Sequence, residues 1–173
     1  MKTILLLRHA KSALGEPAQA DRDRPLSRRG VQAAQLMANH LLAKAPLPDL
    51  ILCSTATRTR QTLAALVERL SPPAPPIALE PGLYLASEDV LLKRLRDLPA
   101  TVGTVLMIGH NDGLWQAAEA LAGHGKATLL AALREKFPTG ALATLKADIE
   151  RWADLKAGAA TLVAFACPRD LAD

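Results

Sequence analysis

Apolar residues along this chain fall into two patterns, unbroken runs and helical spacing. Residues 3–7 (Thr-Ile-Leu-Leu-Leu) and 49–53 (Asp-Leu-Ile-Leu-Cys) are runs with no polar interruption after their first residue. That is the pattern of a strand covered on both faces. Residues 77–79 and 102–108 read as two further strands, the latter broken at Gly109. After Ser27 the spacing changes, and Val31, Ala34, Ala38, Leu41, Leu42 and Ala45 recur as they do on one face of a helix. Ser27 is its cap, Leu26 and Val31 form a hydrophobic staple, and Pro46 and Pro48 end it. Ser54 or Thr55 caps a second helix that turns Leu63, Leu66, Val67 and Leu70 inward. Helices are predicted over 88–98, 113–121 and 128–136, with a Gly-rich turn at 123–125. Late strands cover 140–147 and 161–166, with Trp152 and Leu155 on a turn or short helix between them.

Strands alternating with helices predict an α/β fold, a three-layer α/β/α arrangement with a largely parallel central sheet flanked by helices. The close spacing of the last two strands leaves room for an antiparallel pair at the edge. No internal repeat interrupts this order. The biased stretch 71–76 (Ser-Pro-Pro-Ala-Pro-Pro) reads as a stiff connector between a helix and a strand.

The length of 173 residues suits a single domain, 1–173, with a core of its own. Half of the residues are apolar, enough to offset the entropy of ordering the backbone, so disorder is excluded. The chain has a net charge of +4, but residues 1–60 carry ten basic and four acidic side chains while the rest is slightly acidic. Only five aromatic rings are present, too few for a platform that stacks single-stranded nucleic acid. The apolar run that opens the chain stops at Arg8, and no later stretch reaches the roughly 20 residues a bilayer demands. A cytoplasmic protein with no membrane contact is expected. Cys53 and Cys167 make no disulfide framework and read as ordinary buried thiols.

Ligands of parallel sheets bind beyond the carboxyl ends of the strands. Three predicted strands run into polar residues there: Arg8-His9-Ala10-Lys11-Ser12, Ser54-Thr55-Ala56-Thr57-Arg58, and Gly109-His110-Asn111-Asp112. If the strands are parallel neighbours, two arginines and two histidines converge, a set that suits a phosphoryl group. The guanidinium fork matches phosphate oxygens, and a hydrogen bond to a charged group contributes roughly 1.5–3 kcal/mol. Arg58 falls in the first turn of its helix, where the dipole disfavours a cation unless an anion binds nearby. His40 and His124 read as solvated residues. His9 and His110 could pair as metal ligands, but no third ligand stands beside them, and no zinc-like spacing occurs.

Other phosphate-handling signatures are absent. The one Gly-Lys, Gly125-Lys126, has Ala120 where a phosphate-binding loop needs its first glycine. No Gly-x-Gly-x-x-Gly or Gly-x-Ser-x-Gly is present. Six positions after Cys53 stands Thr59 rather than the arginine of a cysteine phosphatase, and elimination leaves a histidine as nucleophile.

These motifs resemble the histidine phosphatase superfamily (phosphoglycerate mutase-like), and within it the SixA-type phosphohistidine phosphatases. Arg8-His9-Ala10-Lys11-Ser12 is similar to that branch's form of the Arg-His signature, and Arg24-Pro25-Leu26 with Arg29-Gly30 to its second motif. Ser54, Arg58 and Thr62 match the second-arginine motif, and Gly109-His110-Asn111 the second-histidine motif. Phe137-Pro138-Thr139-Gly140, Trp152 and Cys167-Pro168-Arg169 extend the similarity almost to the end of the chain.

The resemblance implies that His9 is the nucleophile and forms a phosphohistidyl enzyme, while Arg8, Arg58 and His110 clamp the phosphate. No metal and no cofactor are required. To attack, His9 must be neutral, with nearby arginines holding its pKa below about 6.5 and a carbonyl accepting from its other ring nitrogen. Superfamily members that release alkoxides use a carboxylic acid; Glu80 is the first candidate, ahead of Glu88, Asp21 and Asp23. A phosphoramidate needs such an acid less. The expected activity is therefore hydrolysis of phosphohistidine on a partner protein by a monomer. A phosphatase of small phosphomonoesters is the alternative, and a non-catalytic basic module, suggested by Arg22, Arg24, Arg28 and Arg29, the remote one. Asp21 and Asp23 interleaved with those arginines argue against nucleic acid. These arginines and Lys11 rim the pocket or pair with the two aspartates, and 123–140 forms a lid or a peripheral helix.

Overall fold

A computed structural model describes residues 1–172. The chain runs β1 (Lys2–Arg8), α1 (Arg28–Lys44), β2 (Leu50–Ser54), α2 (Thr57–Val67), β3 (Ile77–Glu80), α3 (Glu88–Arg96), β4 (Thr104–Gly109), α4 (Gly113–Leu121), β5 (Ala122–Gly125), α5 (Ala127–Glu135), β6 (Leu142–Ala147), β7 (Ala160–Ala166) and α6 (Pro168–Leu171). The strands form one sheet in the order β3-β2-β4-β1-β6-β7-β5. β1, β2, β3 and β4 are mutually parallel, as are β5 and β7, while β6 runs antiparallel to both of its neighbours. The antiparallel strand the spacing allows is therefore present, but inside the sheet rather than at its edge.

Why these runs are unbroken is visible in β1. Ile4 and Leu6 face one layer, with α3, α4 and the end of α5; Leu5 and Leu7 face the other, with α1 and α2. All four are buried, so neither face can tolerate a polar residue. Trp152, on a one-turn helix, closes the larger core and donates its indole N–H to the Val102 carbonyl at 2.8 Å. Among the described residues, no helix is long and apolar enough to cross a membrane.

Local expectations fail where distant backbone intervenes. Residues 123–125, read as a turn, belong to strand β5 and pair with β7, a partner far away in sequence. A Cβ at Gly123 would lie 2.0 Å from the Gly158 carbonyl, so glycine is there for close approach rather than for turning. Ser27 does cap α1, accepting from the Gly30 N–H, while Val31 is 45% exposed. Neither Ser54 nor Thr55 caps α2; Ala56 stands there, and the Ser54 hydroxyl is engaged elsewhere.

Candidate active site

Register sets Arg8 of β1 against Gly109 of β4, and Cys53 of β2 against Ile108 of β4. The residues that follow these three strands thus emerge side by side. Arg8, His9, Arg58, His110 and Asn111 line one pocket of about 360 Å³, together with Lys11, Ser12, Arg24 and Thr139. The four side chains singled out in the sequence meet there; His40 and His124 do not line it.

His9 is 6% exposed. Its Nδ1–H donates to the Ala10 carbonyl at 2.7 Å, which leaves the lone pair on Nε2, where the Arg58 Nε–H donates at 3.4 Å. Burial pushes the His9 imidazole down to about 4, with Arg58, Arg8 and Arg24 adding to it and the Ala10 carbonyl opposing. The direction is the one the arginines predict, but desolvation is the larger cause. His110, 5.3 Å away between ring centroids, pairs its Nε2 with the Ser54 hydroxyl at 2.8 Å, while its Nδ1 faces Arg58 Nη2 at 3.4 Å. Burial first, then His9 and Arg58, lower it to about 3. Both imidazoles are neutral at pH 7.

Arg58 is 4% exposed and donates from Nη1 to the Asp21 carbonyl at 2.8 Å and from Nη2 to Asp21 Oδ2 at 3.1 Å. Arg8 Nη1 and Asn111 Nδ2 both donate to the Phe137 carbonyl, at 3.0 and 2.9 Å. Arg8 Nε and Asn111 Oδ1 are buried with no hydrogen-bond partner. An oxyanion in the pocket would satisfy the first.

The family model described as histidine phosphatase superfamily (branch 1) matches residues 4–84. An uncharacterized protein of Mycobacterium tuberculosis is 39% identical over 165 residues, 94% of this chain and 100% of its own length. Two solved structures, each with the provisional description phosphohistidine phosphatase SixA, superpose with a TM-score of 0.82. The one from Nakamurella is 31% identical and covers 96% of both chains. The one from Agrobacterium tumefaciens is 32% identical and covers 96% of this chain and 98% of its own. The chain belongs to the histidine phosphatase superfamily, in its SixA-type branch.

For this phosphatase, the structure explains the spacing of its second-arginine motif. Ser54, the last residue of β2, holds His110; Arg58, one turn later, reaches His9 and His110; Thr62, a further turn on, accepts from the Ala10 N–H at 3.0 Å and donates to the Arg58 carbonyl at 2.8 Å. One helix face thereby fixes both histidines and the loop after β1. Cys53 is fully buried and its thiol is pushed up to about 12 by desolvation.

The carboxylates sort differently from expectation. Glu80, the first candidate acid, is bound by Arg94 of α3 through three contacts of 2.7–3.0 Å and does not line the pocket. Glu88 and Asp23 do not line it either. Asp21 lies outside the lining too but touches two residues that form it, held by Arg58, by Arg24 at 3.0 Å and by the Tyr84 hydroxyl. Tyr84 foremost, then Arg24 and Arg58, lower it to about 2. Arg24 also donates to the Ser12 hydroxyl at 2.8 Å and to the Ala13 carbonyl, bracing the first loop. Tyr84 and the carbonyls of Ala10 and Phe137 carry no sequence signal, because their partners are distant or the groups are backbone. Segment 123–140 forms the rest of β5 and helix α5, and its exit presents the Phe137 carbonyl and Thr139 to the site.

Proposed function

We propose that this phosphatase hydrolyses phosphohistidine on a partner protein through a covalent intermediate on His9, without a metal ion. His9 Nε2, left with its lone pair by the Nδ1–H bond to the Ala10 carbonyl, attacks phosphorus as the bond from phosphorus to the substrate imidazole breaks. The departing imidazole keeps that electron pair and takes a proton from solvent. Water then attacks the phosphohistidyl enzyme, the bond between phosphorus and His9 breaks, and free phosphate leaves. Arg8 and Arg58 supply the charge that stabilises the transferring group, which is most of what phosphoryl transfer asks of a protein. A bound dianion raises the pKa of His110, whose Nδ1 then donates while Ser54 accepts at Nε2.

The state of the carboxylates carries the choice of substrate. Release of an alkoxide calls for a general acid, worth roughly 10²–10⁴-fold. Glu80 is tied to Arg94, and Asp21 is held ionised near 2. A leaving group that accepts its proton from solvent fits such a site, and the description of the two solved relatives points the same way.

The test compares wild type with His9→Ala on a phosphohistidine-bearing protein and on a phosphate monoester, with chelator present throughout. Wild type is expected to prefer phosphohistidine and to ignore the chelator, and His9→Ala to be inactive on both. Full activity in His9→Ala, or loss of wild-type turnover in chelator, contradicts the mechanism; a preference for the monoester contradicts the substrate.

A further inference from the structure

Beside the phosphate pocket lies a second groove of about 380 Å³ that shares Lys11 and Thr139 with it. Its lining is apolar along Ala33 and Leu36 of α1 and along Pro138 and Pro168, and cationic at Lys11, Arg29 and Arg169. Among the described residues, no carboxylate lines it. Among the described residues, neither Lys11 nor Arg29 has an acidic group within 4 Å, whereas Arg169 is paired with Asp170 at 3.6 Å.

Two features show that this placement is built. Arg28 and Arg29 open α1 with no acidic residue in its first turn, so cations stand at the end of the helix where the dipole opposes them. Among the described residues, Arg29 contributes no ion pair in return. Gly30 follows, and a Cβ there would lie 1.9 Å from the Lys11 carbonyl, which accepts from Ser27 N–H at 2.9 Å. The start of α1 is thereby clamped onto the loop that carries His9, which fixes the backbone of Arg29 relative to the phosphate pocket.

We propose that this groove docks an acidic amphipathic segment of the protein that carries the phosphohistidine, with its apolar side chains on Leu36 and the prolines and its carboxylates on Lys11 and Arg29. The inference rests on the phosphohistidine reading and supplies its recognition surface. The argument for this occupant is charge complementarity: an apolar floor excludes water, and unpaired cations at its rim select an acidic partner.

The probes are free phosphohistidine, a short phosphohistidine peptide flanked by Glu and Leu, and the same peptide with Lys for Glu. Wild type should turn over the acidic peptide with a kcat/KM about tenfold above that for the lysine peptide, and the gap should narrow with salt. Arg29→Glu should lose about tenfold on the acidic peptide, mainly through KM, and stay within about twofold of wild type on free phosphohistidine. Arg28→Glu makes the same change in the same turn, at an exposed residue that lines neither cavity, and should behave as wild type. Equal wild-type rates on the two peptides, equal effects of the two variants, or an equal loss on free phosphohistidine in Arg29→Glu would overturn the groove alone. So would stronger competition by duplex DNA or anionic vesicles than by the unphosphorylated acidic peptide. A wild type that leaves free phosphohistidine intact overturns the phosphohistidine reading, and the groove with it.

Discussion

Ser54 has a small side chain and a closely constrained one. Its hydroxyl meets His110 Nε2 at 2.8 Å in a fully buried position, and that contact decides which imidazole nitrogen faces Arg58 and the pocket. Replacing it by alanine leaves a buried donor unpaired, which costs about 1–3 kcal/mol. Ser54→Ala is expected to lower kcat/KM about tenfold on a phosphoramidate substrate, measured at constant pH, with the fold retained by circular dichroism. Glu80 is the opposite case, since it stands at a strand end as a catalytic acid would but spends its charge on Arg94. Glu80→Gln is expected to keep activity within about twofold and to lose at most about 1 kcal/mol of stability, because both partners are partly exposed. A large drop in turnover for this variant would restore Glu80 as the proton donor.

At the scale of elements, the site depends on how α1 and α2 meet the loop after β1. α2 reaches that loop through Thr62 and Arg58; α1 reaches it through the Lys11 carbonyl, which sits where a side chain on residue 30 would be. Gly30→Ala must push helix and loop apart, and overpacking of this kind costs about 1–3 kcal/mol. Urea denaturation should report that loss, and turnover should fall as well although residue 30 touches no substrate, because the loop holds His9. The helices themselves were legible from the spacing of their apolar faces, as with Ala34, Ala38 and Leu41 on α1. β5 was not, because its ladder partner β7 is remote in the chain and its own residues are Ala, Gly, His and Gly.

Over the whole molecule, two neutral imidazoles are buried just beyond the carboxyl ends of β1 and β4. Their folded pKa values, about 4 for His9 and about 3 for His110, lie below the ordinary 6.5. As pH falls below about 6.5, the unfolded chain takes up protons that the folded one refuses. Stability contributed by keeping both neutral is full above that value and is lost as pH falls through about 4 and then about 3. Asp21, lowered to about 2 from 3.8, acts in the same sense over the lowest part of this range. Thermal melts should therefore show a falling Tm from pH 7 to pH 4. In His110→Asn the slope should be shallower over that interval; an unchanged slope would mean that His110 does not carry the effect.

The sequence by itself determined the strands other than β5, the long helices, the two-faced core and the four side chains that meet in the pocket, because each rests on local rules: apolar runs, helical spacing, and polar residues at strand ends. Tertiary structure alone decided which carboxylate reaches the site, since Asp21 is brought to Arg58 and Tyr84 by folding and Glu80 is taken away by Arg94. It decided too that desolvation outweighs the arginines at His9, and that β6 lies reversed within the sheet. Burial and pairing are properties of neighbours, and for these residues the neighbours lie far along the chain or are backbone carbonyls that every residue possesses.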